Sequence, residues 1–147
     1  MKINLSVSPL TNVLALVNEK NGTLLAEGRV TAGPAVEPTG ETTDNTEVTL
    51  TGIVGHGYTG SLTYTYDRAT LASQEIPTPA AVDVTATDTE ADVKTKVAAA
   101  LRIIESAVEF TALTIPVDAT DGTVTVTPIV GNLLYVGGSI TVALRLV

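Results

Sequence analysis

The 147-residue sequence has no cysteine and no tryptophan, and only one histidine. Without cysteine there is no thiol nucleophile, no cysteine zinc site and no disulfide framework. With a single histidine, a transition-metal site lacks its usual ligands, and we expect neither a bound metal nor a cofactor. Aromatic residues make up 3% of the chain, which leaves few stacking platforms for sugars or bases. Basic residues are also scarce. Eight Lys and Arg against sixteen Asp and Glu give a net charge of −8. A surface this acidic repels phosphate backbones, so nucleic acid is not an expected partner. No stretch reaches the roughly 18 apolar residues of a membrane-spanning helix, and no membrane association is expected. Nor is a signal peptide: Lys2 is the only positive charge near the start, and Asn4, Ser6 and Ser8 interrupt any apolar run.

What is present is valine, alanine, leucine and threonine. Val and Thr are β-branched and suit a pleated sheet. The length is that of one domain, spanning 1–147, and a chain of this size buries roughly 70% of its unfolded surface without a metal or disulfide. One stretch occurs twice. Residues 48–53 read Val-Thr-Leu-Thr-Gly-Ile and residues 124–129 read Val-Thr-Val-Thr-Pro-Ile. Gly60-Ser61-Leu62-Thr63 follows the first, and Gly138-Ser139-Ile140-Thr141 follows the second at nearly the same offset. A tyrosine precedes each Gly-Ser (Tyr58, Tyr135), and a helical pattern lies upstream of each copy. We read this as one helix-plus-hairpin unit used twice, in halves of about 9–71 and 87–147. Chance likeness between Val/Thr-rich strands is the competing account. Gly52 and Pro128 fall at matching places, where neither suits a central strand, so a bulge or bend is expected at both.

Residues 2–7 alternate and suit a short strand or an ordered arm. Ser8-Pro9 reads as a helix start. Leu10, Val13, Leu14 and Val17 make one apolar stripe, and Asn21-Gly22 is a stop, which predicts a helix over 9–20. Leu24 to Thr31 suits a strand. Residues 32–45 carry breakers and acids without an apolar period, so they read as an exposed loop. Residues 46–54 alternate, with Val48, Leu50 and Val54 on one face. After a turn at 55–59, residues 61–68 alternate again, with Leu62, Tyr64 and Tyr66 together, completing a hairpin. Val82 and Val84 suggest a short strand. Thr87-Asp88-Thr89-Glu90 fits a capping box opening a helix over 88–109, marked by Val93, Val97, Leu101, Ile104 and Val108. Residues 111–117 look extended, Asp121-Gly122 reads as a turn, and 123–129 with 139–147 form the second hairpin.

Few residues invite chemistry. Gly55-His56-Gly57-Tyr58-Thr59-Gly60 spells a dinucleotide fingerprint, but that motif works only when it opens a helix, and here a strand follows. His56 sits between glycines without a positioned partner for acid–base work. Asp88, Glu90 and Asp92 lack the ligand number of a calcium loop and are better explained as helix-capping charge. Asp118 and Asp121 flank a turn. Arg68 and Asp67 could pair across strands. Asn4-Leu5-Ser6 and Asn21-Gly22-Thr23 match the glycosylation pattern, which we take as coincidence. Tyr58, Tyr64, Tyr66 and Tyr135 are the candidate interface residues. For Tyr64 and Tyr66, core packing competes with an interface role. No catalytic residue is assigned and no enzymatic activity is expected.

The first hairpin resembles a family of virion structural proteins of large tailed bacteriophages. The residues that carry the likeness are Asn45-Thr46-Glu47-Val48-Thr49-Leu50-Thr51, Gly57-Tyr58-Thr59-Gly60-Ser61 and Tyr66-Asp67-Arg68. The helix from Pro9-Leu10-Thr11 to Asn21-Gly22 also fits, as do Tyr135 and Gly138-Ser139. Asp67 departs from the Asn expected between Tyr and Arg. The resemblance implies a non-catalytic virion subunit, made in the bacterial host cytoplasm, with itself and other virion proteins as partners. Head decoration is the first choice. A tail-tube, neck or fibre component, or a surface module for a receptor or carbohydrate, are the alternatives. The expected fold is α+β: an antiparallel sheet or sandwich with two packed helices.

Overall fold

The computed structural model describes residues 2–72, 76, 77, 79–117 and 121–147. In chain order the elements are α1 (Pro9–Asn21), β1 (Val30–Ala32), β2 (Thr46–Gly52), β3 (Ser61–Tyr66), β4 (Ala69–Thr70), β5 (Val82–Val84), α2 (Glu90–Leu101), β6 (Val108–Thr114), β7 (Gly122–Pro128), β8 (Tyr135–Val136) and β9 (Ile140–Leu146), with a 3-10 turn at Glu105–Ala107. The fold is α+β. The chain divides into two compact units, Met1–Ala69 with Val130–Leu134, and Thr70–Ile129 with Tyr135–Val147.

In the first unit the Ser8 hydroxyl accepts from the Thr11 amide at 3.0 Å, and Pro9 opens α1. Gly22 closes it in the left-handed conformation, φ 63°, which glycine adopts without a Cβ penalty. Val13, Leu14 and Val17 pack on Val30, Val48, Leu50 and Tyr66. Burying each such side chain contributes about 1.5–3 kcal/mol. The strands form an antiparallel sheet in the order β1-β2-β3. Residues 2–7 form an ordered arm without a strand. Asn12, itself buried, accepts from the Asn4 amide at 2.7 Å and donates back to the Asn4 carbonyl at 3.0 Å.

The strand expected over Leu24–Thr31 shrinks to Val30–Ala32. The Asn18 side chain captures the chain first, accepting from the Leu25 amide and donating to the Leu25 carbonyl, both at 2.8 Å. Those backbone groups bond the helix end instead of a strand, and Leu24 points outward. Val54, expected to face inward, lies beyond the end of β2 and is fully exposed. The 32–45 segment is pinned at its start. Gly33 N bonds Thr49 O, Ala35 N bonds Gly131 O, and Val36 pairs with Glu47. Ala35 is buried, whereas Glu37 and Glu41 lie in the solvent.

In the second unit the sheet order is β5-β9-β7-β6, with β5 parallel to β9 and the other pairs antiparallel. Val93, Val97 and Leu101 of α2 are buried, as are Val124 and Val126 of β7 and Ile140, Val142 and Leu144 of β9. The capping box sits two residues later than the sequence suggests, with Thr89 and Asp92 as its partners. Asp88 is occupied accepting from the Thr85 amide at 2.8 Å, which bends the chain before the helix can start. The helix also stops earlier than 109, at Leu101. Arg102 turns left-handed at φ 53°. Val108 keeps the helical spacing but is the first inward residue of β6, so the periodicity runs on after the helix has ended.

The repeated stretches run along β2 and β7. Val48 and Leu50 face inward in the first, Val124 and Val126 in the second. Gly52 and Pro128 are the last residues of their strands. The register shift lies instead in β6, between Thr111 and Thr114, where Ala112 has φ 49°. Of the Asp118–Asp121 turn, Asp118 lies outside the described residues.

Candidate interaction surface

The polar residues of the first hairpin act as fasteners. Asn45 N donates to Asp67 Oδ1 at 2.9 Å, and Asn45 Nδ2 to the Arg68 carbonyl at 3.1 Å. In return Arg68 N donates to Asn45 Oδ1 at 2.9 Å. The Arg68 guanidinium turns inward, donating from Nε to Thr46 Oγ1 at 2.7 Å and from Nη1 to the Asn132 carbonyl at 2.9 Å. Burial lowers its pKa from the ordinary value. The cross-strand role expected for the Asp67–Arg68 pair is thus filled by Asn45, which clips both residues to the start of β2.

The four tyrosines do not gather into one surface. Tyr66 is 2% exposed, and its hydroxyl donates to the Leu133 carbonyl at 2.9 Å. Burial raises its pKa. Tyr135, in the second unit, is 1% exposed, and its hydroxyl accepts from the Ile104 amide at 3.1 Å. Desolvation raises its pKa too. Tyr58 and Tyr64 are half-buried against the first unit's core, and the Tyr58 hydroxyl donates to the Leu24 carbonyl at 2.8 Å.

The β1-β2-β3 sheet has two unlike faces. One carries exposed hydroxyls, with Thr49 bonded to Thr63 at 3.2 Å and Thr51 to Ser61 at 2.8 Å. The other packs Val48, Leu50, Tyr64 and Tyr66 against α1 and also carries Leu62. Burial fades along β3 towards the turn. Tyr66 is buried and Tyr64 half-buried, but Leu62 is 65% exposed. Beside Leu62 lies an apolar recess of about 90 Å³ lined by Leu25, Val30, Leu50, Tyr58 and Tyr64. Small-molecule sites usually exceed roughly 300 Å³, so this recess suits a protruding side chain better than a metabolite.

β3 is also a sheet edge. Gly52 N bonds Gly60 O at 2.9 Å. The alternation of an antiparallel ladder then turns Leu62, Tyr64 and Tyr66 towards β2 and leaves the amides and carbonyls of Ser61, Thr63 and Thr65 pointing outward. Alternation marks β3 as a strand but does not mark it as an edge, because neighbour order depends on where β1 docks.

Four further acidic groups are tied into local structure. Glu27, in a turn, is exposed and accepts from the Ser8 and Thr11 hydroxyls, which lower its pKa in that order. Asp92 is lowered first by the Thr89 hydroxyl and then by the Thr89 amide. Asp88 is lowered by Lys96 and by the Thr85 amide. Glu90 pairs with Lys94 one helical turn on. His56 is exposed in its turn. Among the described residues, no three His, Cys, Asp or Glu side chains gather as a metal would need, and no helix is long and apolar enough to cross a membrane.

Residues 4–145 match the model of a family of unknown function, DUF7941. The chain belongs to the DUF7941 family. No curated protein and no solved structure matches it. The DUF7941 match takes in the hairpin fasteners, the β3 edge and all four tyrosines, so these features lie within the family's shared region.

Proposed function

We propose that this DUF7941 protein is a non-catalytic structural subunit of a bacteriophage virion, assembling with itself and with other virion proteins as a head decoration or accessory subunit. The observation that carries the reading is how the first hairpin spends its polar residues. Asn45, Thr46, Asp67 and Arg68, the residues through which the chain resembles phage virion proteins, are hydrogen-bonded to one another. They stiffen a strand whose outer edge is exposed. A stiff element with an open edge suits assembly, because little ordering entropy is lost on docking. We also read the helix–strand–hairpin order shared by the two units, and the repeated Val-Thr stretches at their centres, as copies of one plan.

Mass spectrometry of purified particles from the virus encoding the chain, followed by cryo-electron microscopy, tests the assignment. The expected result is a stoichiometric protein with density on the head. Abundance in infected cells together with absence from purified particles would overturn it.

A further inference from the structure

We propose that the β3 edge pairs with the β3 edge of a second copy of this chain, antiparallel and centred on Thr63. The inference rests on the reading of the protein as a self-assembling subunit and assigns the surface that does it.

Two observations select this edge. First, the fold guards its other long edge and not this one. β6 is interrupted by a register shift, with Ala112 at positive φ, and carries Glu109. Bulges and charges of this kind are how sheets block unwanted pairing. β3 reads Ser-Leu-Thr-Tyr-Thr-Tyr, with no charge, no proline and no register shift. Second, the strand complements itself. Only Ser61, Thr63 and Thr65 have outward backbone groups, so a ladder must match these residues with one another. A twofold axis at Thr63 places Thr63 opposite Thr63 and Ser61 opposite Thr65. On one face this extends the hydroxyl pairs already made within the sheet by Thr49 with Thr63 and Thr51 with Ser61. On the other face it sets Tyr64 of each copy opposite the exposed Leu62 of the other, beside the apolar recess.

Charge also has to permit a second copy. Two molecules of net charge −8 repel, so a contact between them must avoid opposing like charges. In this register Asp67 falls opposite Thr59, and no acid meets an acid. A pairing of six residues per copy is a small interface, at the weak end of protein–protein contacts. Added salt should tighten it by screening the repulsion between the copies.

Sedimentation equilibrium up to about 1 mM protein, at low and high salt, tests the proposal. The wild type should dimerise, more tightly in high salt. Thr63→Pro removes an outward amide that no intrachain strand uses, and Leu62→Lys puts a charge on a residue that is exposed in the monomer. Each should weaken the dimer about tenfold or more while circular dichroism stays that of the wild type. Thr63→Cys in this cysteine-free chain should oxidise to a disulfide-linked dimer. A strictly monomeric wild type would overturn the proposal, as would a dimer indifferent to both variants and closed to the Thr63→Cys cross-link. A monomer that is nevertheless found in particles sinks this edge and leaves the virion reading standing. A β3-paired dimer missing from particles does the reverse.

Discussion

The Tyr66 hydroxyl donates to the Leu133 carbonyl at 2.9 Å across a sequence separation of 67 residues. Together with the bond from Arg68 Nη1 to the Asn132 carbonyl, it holds a late segment of the chain in the first unit. Tyr66→Phe keeps the ring and removes the donor, leaving the Leu133 carbonyl without that partner. The expected loss is about 1 kcal/mol. Tyr66→Ala also empties a core position and should cost about 3–5 kcal/mol. Urea denaturation followed by circular dichroism checks both, and equal losses for the two variants would contradict this account.

The cap of α2 discriminates between two threonines. Thr89 accepts from the Asp92 amide while Asp92 accepts from the Thr89 amide, whereas Thr87 only touches the Thr85 hydroxyl in solvent. Thr89→Ala should therefore lower stability by about 1 kcal/mol, and Thr87→Ala should leave it within about 0.5 kcal/mol. Thermal melts of the two variants side by side decide the assignment, and a larger loss at Thr87 would reverse it.

Gly122 opens β7 where a Cβ would lie 2.2 Å from the Thr114 carbonyl oxygen and 2.6 Å from Pro116 Cδ. The nearest of these atoms is backbone, so a side chain cannot be accommodated by a rotamer change. Gly122→Ala should cost about 1–3 kcal/mol or more. Gly55→Ala has open space around its Cβ and suffers only from its positive φ. Denaturant midpoints should fall further for Gly122→Ala than for Gly55→Ala.

Elements with a local cause were legible in the sequence. Ser8-Pro9 and Gly22 bound α1 because capping is short-range chemistry, and the alternation of β2, β7 and β9 matches their buried faces. Misreadings arose where one short-range signal competed with another. Asp88 was taken by the Thr85 amide, so the cap moved to Thr89. Asn18 wrapped Leu25 before a strand could start. Leu101 and Val108 keep helical spacing although Arg102 ends the helix with no glycine to mark it. The hydrogen bonds of Tyr66 and Arg68 to Leu133 and Asn132 had no local signal at all, since the partners are backbone carbonyls of a distant turn. The candidate surface was half legible: alternation named Leu62, Tyr64 and Tyr66 as one face, but only the docking of α1 decides that Leu62 stays outside.

Acid should unfold the protein through specific carboxylates. Asp44 is held below its ordinary pKa, first by the Thr65 hydroxyl and then by Lys20, and Asp88 is held down by Lys96 and the Thr85 amide. The unfolded chain therefore keeps protons that the folded chain has given up, and stability rises with pH across that window. Their contribution is complete above the unfolded value of about 4 and is lost as pH falls through the depressed folded values. Urea midpoints measured from pH 7 down to pH 2 should hold steady at first and then fall below about pH 4. Asp44→Asn and Asp88→Asn should each lower the neutral-pH midpoint and flatten the acid limb, because the group responsible no longer titrates. An acid limb as steep in the double variant as in the wild type would assign the loss to other groups.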